Sequence, residues 1–155
     1  MGTKVFVYGS LRKGMRLNNY LNNIGIFLEY GDVEGKLMIQ PNGYFPYAIR
    51  GEGTIKGEIW SVPDWFVPEY LDVVEGYNKR KPSLSHYLRV VNDVNTSLSI
   101  QKAWMYWLNF NSYIPNLVLI EDGDFVKYYE EVISQYKDTE REELAFGSFV
   151  RGQKE

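Results

Sequence analysis

Tyr8-Gly9-Ser10-Leu11-Arg12-Lys13-Gly14 follows a short β-rich apolar run and precedes a helical stripe. A turn in that setting can gather backbone N–H groups around an anion. Gly9 and Gly14 have the spacing of a phosphate-binding loop, but Met15 and Arg16 stand where such a loop carries Lys and Ser or Thr. The groups that contact terminal phosphates and magnesium are missing, so nucleotide hydrolysis is set aside. On spacing alone, an anion cradle and a plain strand-to-helix connection are equal readings. Glu75 ends a helical segment immediately before Gly76 and Tyr77, where a carboxylate faces the negative end of the helix dipole. Desolvation by aromatic neighbours would raise its pKa toward the range of a general base working near neutral pH. A solvated surface glutamate is the alternative, and composition alone favours it. Arg89 beside Tyr87 could clamp a carboxylate, although an arginine on an alternating strand more often points outward into a salt bridge. His86 could serve as a base, but no nucleophile-elbow motif accompanies it.

Composition narrows the chemistry. The 155 residues include no cysteine and one histidine, which removes disulfide frameworks, thiolate metal sites and a cysteine nucleophile, and leaves multi-histidine metal centres without ligands. No thiolate, iron–sulfur or multi-histidine metal site is expected. Seventeen basic against twenty acidic residues give a net charge of −3 with no basic stripe, so nucleic acid is not an expected partner. No apolar run approaches ~20 residues, and no membrane span is expected. Met1-Gly2-Thr3-Lys4-Val5-Phe6 carries neither a signal-peptide core nor a myristoylation pattern, so a soluble cytoplasmic protein is the expectation. The sequon at Asn95-Thr96-Ser97 is set aside for the same reason.

The elements that must position these residues follow from periodicity. Residues 4–8 read as a buried strand. Leu17, Tyr20, Leu21 and Ile24 repeat at helical spacing up to Gly25. Ile26–Tyr30 and Gly35–Gln40 read as two strands, with a turn at Pro41-Asn42-Gly43. Residues 55–62 read as another strand, in which Gly57 marks a bulge or a close backbone approach. Asp64 is the expected N-cap of a helix ending at Glu75, with Pro68 in its first turn. Two strands at 86–94 and 98–108 form a hairpin, and residues 123–136 carry Phe125, Tyr129, Val132, Ile133 and Tyr136 on one helical face. Clustered strands with inserted helices argue an α+β fold around a small curved or closed sheet. One domain over residues 1–155 is expected, with 137–155 as a C-terminal extension.

In order and separation, Val5-Phe6-Val7-Tyr8-Gly9-Ser10-Leu11 with Lys13-Gly14, Phe45-Pro46-Tyr47-Ala48-Ile49, Gly57-Glu58-Ile59-Trp60, Leu71-Asp72-Val73-Val74-Glu75-Gly76-Tyr77 and Tyr87-Leu88-Arg89 resemble the γ-glutamylcyclotransferase-like family over about residues 4–130. The resemblance implies a small mixed barrel-like β-sheet with short flanking helices. It also implies that Tyr8, Gly9, Ser10 and Leu11 bind the γ-glutamyl part of a small-molecule substrate, and that Glu75 is the catalytic acid/base. The implied reaction releases 5-oxoproline and a free amine from a γ-glutamyl amine or peptide by intramolecular attack, without metal or cofactor. A noncatalytic module holding a small carboxylate or phosphate in the same loop is the alternative. Ala145-Phe146-Gly147-Ser148-Phe149, in the extension, has no family counterpart.

Overall fold

Val5 and Val7 alternate with Phe6 and Tyr8, and the two pairs go to two different hydrophobic clusters. That division follows from the two-residue period of a strand, and it organises the molecule. Phe6 and Tyr8 join Val33, Leu37, Ile55, Ile59, Met105 and Trp107 inside a closed sheet, while Val5 and Val7 join Leu21, Trp60, Phe66, Leu71 and Tyr106 between the sheet and its flanking helices. The computed structural model describes residues 2–109, 112 and 114–135. The expected extension 137–155, with Phe146 and Phe149, and the helical position Tyr136 lie outside the described residues.

Strand β1 (Thr3–Val7) is followed by helix α1 (Asn18–Asn22), strands β2 (Ile26–Ile39) and β3 (Tyr47–Val62), a π-helical turn (Val67–Leu71) running into α2 (Asp72–Glu75), and a 3-10 turn (Pro82–Leu84). Strands β4 (Tyr87–Asn95), β5 (Ile100–Leu108) and β6 (Val118–Leu119), helix α3 (Phe125–Glu131) and a last 3-10 turn (Ile133–Gln135) complete the order. The sheet order is β3-β1-β5-β4-β2-β6, and an additional β3–β2 pairing closes the first five strands into a barrel. β1 and β5 are parallel and the other pairings antiparallel, so the sheet is mixed and the fold α+β as expected.

Ile26–Tyr30 and Gly35–Gln40 are not separate strands. They are the two halves of β2, joined through register shifts at Phe27/Glu29 and Glu34/Lys36. Bulges bend a strand without ending it, and here they wrap a 14-residue strand around the barrel. β3 likewise starts at Tyr47 rather than at residue 55. Gly57 is a close backbone approach: a Cβ there would collide with the Val7 carbonyl oxygen and the Phe6 ring. Asp64 does not cap a helix. Its carboxylate accepts from the Thr3 hydroxyl at 2.6 Å, and the segment after Pro63 winds first as a π turn that has no side-chain cap. The two-residue β6 and the 3-10 turn at Pro82–Leu84 are too short to leave a periodic signal.

Candidate active site

The loop after β1 is held from beneath. Arg12 N donates to Gly9 O at 3.0 Å, and Leu17 N to Ser10 O at 2.9 Å. Glu58, on β3 opposite Val7, is only 1% exposed. Its carboxylate accepts from the Lys13 amide at 3.0 and 3.2 Å, from Arg12 Nε at 3.1 Å and from Trp60 Nε1 at 3.0 Å. Arg12 Nη1 reaches Asp124 at 2.9 Å, the residue that N-caps α3. A buried ion pair persists when hydrogen bonds satisfy its remaining lone pairs, as these do. The second half of the Tyr8–Gly14 loop is therefore an anion cradle whose anion is the protein's own Glu58. The amides of Gly9, Ser10 and Leu11 have no hydrogen-bond partner among the described residues, and these residues line the cleft beside the loop. A Cβ at Gly9 would lie 2.9 Å from Pro46 Cδ, so glycine fits there and larger residues crowd the wall.

Glu75 lines the same cleft. The space measures about 570 Å³, open solvent at the mouth included, and Tyr8, Gly9, Ser10, Leu11, Phe45, Pro46, Leu71, Glu75, Tyr87 and Tyr106 form much of its wall. Helix α2 stops at Glu75 because Gly76 takes the left-handed conformation (φ 68°), and Tyr77 N then bonds to Asp72 O at 2.8 Å while Gly76 N bonds to Val73 O at 3.2 Å. These are the two bonds of a Schellman motif. They place Glu75 on the last turn, against the aromatic wall. Burial pushes its carboxyl up to about 7. The phenols of Tyr8 and Tyr87 are raised well above their ordinary value, first by burial, with the Glu75 charge adding to it. All five residues expected at the site thus meet at one cleft.

Beside the cleft, Asp72, Arg89 and Trp104 form a cluster with Tyr106, which lines it. Arg89 does not point outward: its Nε and Nη2 form a bidentate pair with the two Asp72 carboxylate oxygens at 2.8 and 3.1 Å. Its guanidinium lies 4.3 Å from the Trp104 ring centroid, and Tyr106 donates its hydroxyl to Asp72 Oδ1 at 2.6 Å. Asp72 stands one turn before Glu75, so this cluster ties the helix end to β4 and β5. The available signal was a charged residue buried within the apolar segment before Glu75. His86 is exposed; its backbone bonds to Gly76 O and Asn109 N. Among the described residues no group of three or more His, Cys, Asp or Glu could hold a metal ion, and no helix is long and apolar enough to cross a membrane.

Comparison with known proteins places this geometry in a family. YtfP of Escherichia coli strain K12, a gamma-glutamylcyclotransferase family protein, is 26% identical over 123 residues, covering 79% of this chain and 96% of that one. The crystal structure of PH0828 from Pyrococcus horikoshii, an uncharacterized protein, superposes with a TM-score of 0.62 at 26% identity, covering 88% of this chain and 99% of the other. An AIG2-like protein from Mus musculus shares the fold with a TM-score of 0.63 at 20% identity, covering 80% of this chain and 88% of its own. The family described as "Gamma-glutamyl cyclotransferase, AIG2-like" matches residues 5–127, a span that starts within β1 and contains the loop, Glu75 and strands β2 to β6. The chain therefore belongs to the gamma-glutamyl cyclotransferase, AIG2-like family.

Proposed function

We propose that the chain is a cyclotransferase that converts a γ-glutamyl amine or γ-glutamyl peptide to 5-oxoproline and a free amine. The observation that carries this reading is a single carboxylate, Glu75, raised to about 7 by burial in the cleft lined by Gly9, Ser10 and Leu11, whose amides donate no hydrogen bond among the described residues. Those amides orient the substrate carboxylate and steady negative charge on the carbonyl under attack. Glu75 takes a proton from the substrate α-ammonium. The freed amine attacks the side-chain carbonyl and forms the five-membered ring's C–N bond. The protonated Glu75 then gives its proton to the departing nitrogen as the original amide C–N bond breaks, and the regenerated carboxylate takes the second proton from the ring nitrogen and passes it to the released amine, which leaves as its ammonium. No water is consumed, and the attack is intramolecular, so holding the substrate in a folded geometry supplies much of the acceleration. Family membership makes γ-glutamyl compounds the first substrates to test.

The test is release of 5-oxoproline from γ-glutamyl amines, γ-glutamyl dipeptides and glutathione. Turnover of at least one, lost in Glu75→Gln, supports the reading. Absence of turnover with all of them, in a folded protein that still binds a small carboxylate, replaces it with a binding module on the same loop.

A further inference from the structure

Tyr106 lines the cleft but belongs to no motif that the sequence singles out. Its one hydroxyl proton is committed, because it donates to Asp72 Oδ1 at 2.6 Å. Asp72 cannot readily turn away, since both of its oxygens are gripped by Arg89, which is itself stacked on Trp104. A phenol that has spent its proton offers only oxygen lone pairs to anything else, and donating to a carboxylate makes that oxygen a better acceptor. Glu75 is near enough for its charge to act on the Tyr106 hydroxyl. Tyr8 has also spent its proton, on Tyr106 O at 2.6 Å, but the Ala48 amide already faces its oxygen.

Resting on the cyclotransferase reading, we infer that the Tyr106 hydroxyl oxygen, locked as an acceptor by the Asp72–Arg89 pair, binds the α-ammonium of the substrate beside Glu75. The cleft then reads both ends of an amino-acid headgroup. Loop amides, which are donors, take the carboxylate, and an acceptor oxygen with an adjacent carboxylate takes the ammonium. Tyr106 would hold the nitrogen that becomes the nucleophile within reach of the base, and a ligand lacking that nitrogen would leave the oxygen unpaired.

The experiment compares two ligands by calorimetry: γ-glutamyl-butylamide and its deamino counterpart, the monobutylamide of glutaric acid. Both keep the carboxylate and the amide; only the first has the ammonium. Glu75→Gln is the background, which stops turnover and removes the competing carboxylate charge. In it the ammonium ligand should bind at least ~10-fold more tightly than the deamino ligand, the scale of a hydrogen bond to a charged group. Tyr106→Phe in the same background should erase that preference while changing deamino binding by less than about twofold. Equal binding of the two ligands in the Glu75→Gln protein, which needs no change at Tyr106, would overturn the inference. So would a retained preference, or an equal loss for both ligands, in the phenylalanine variant. Wild-type 5-oxoproline release is a separate readout: its absence beside an intact ammonium preference would sink the cyclotransferase reading and leave amine recognition standing.

Discussion

At the scale of single residues, the site rests on a conflict between stability and chemistry at Glu75. Burial raises its carboxyl from 4.5 to about 7, so the folded protein binds a proton there that the unfolded chain releases. Between those two values stability falls as pH rises, and above about 7 the folded state carries the full cost of a buried charge, roughly 3 kcal/mol. Glu75→Gln removes that cost. It should melt several degrees above wild type at pH 8 and close to wild type at pH 4.5, as followed by circular dichroism across the range. A gap independent of pH would mean that Glu75 is not the group responsible. Activity has the opposite sign. Only the ionised carboxylate can take a proton, so turnover of wild type should rise with pH along a limb centred near 7, and Glu75→Gln should lower it at least ~100-fold. A folded glutamine variant with near-normal turnover would remove Glu75 from the reaction.

At the scale of elements, the Tyr8–Leu11 loop is a backbone device. Its shape is set by Glu58 from below and by Gly9 against Pro46 from the side, its residues line the cleft, and the proposed role of its amides is to hold the substrate carboxylate. Ser10→Ala should therefore change ligand affinity by less than about threefold, while Gly9→Val, which forces a side chain against Pro46, should weaken it by at least ~10-fold. Calorimetry with a γ-glutamyl ligand decides between amides and the Ser10 hydroxyl, and the reverse ranking would make the hydroxyl the anchor. How much of this was legible follows from range. The strand, the loop and the Glu75-Gly76 helix end are local patterns, and the sequence carries them plainly. Glu58 and Asp72 were hidden because each is buried by partners 46 and 17 residues away. Arg89 was read as outward for the same reason: strand alternation assigns a face, whereas its carboxylate partner comes from another element. The π turn replaced the expected Asp64 cap because Thr3, 61 residues away, takes the Asp64 carboxylate.

At the scale of the whole molecule, closure explains why the site stays assembled. The loop hangs from β1, Glu75 follows β3, and Tyr87 and Tyr106 come from β4 and β5. These strands are joined through the continuous ring β3-β1-β5-β4-β2-β3, so no open edge lets one wall of the cleft drift from another. The interior cluster runs from Phe6 to Ile133, with Phe125 of α3 and Ile133 both buried in it. Among the described residues, all six strands lie between Thr3 and Leu119. The ring closes and the interior cluster is filled by residues up to Ile133, so removal of residues 144–155 should leave a cooperative transition with a melting temperature within a few degrees of the full chain. A one-residue change in β3 should do more harm than that twelve-residue deletion: Gly57→Ala places a Cβ against the Val7 carbonyl and the Phe6 ring, and backbone cannot move aside there without parting β1 from β3. Overpacking of this kind costs about 1–3 kcal/mol or more. Thermal melts of the full chain, the truncated chain and Gly57→Ala give the ranking. If truncation were the most damaging change, Phe146 and Phe149 would belong to the core or to a contact between copies.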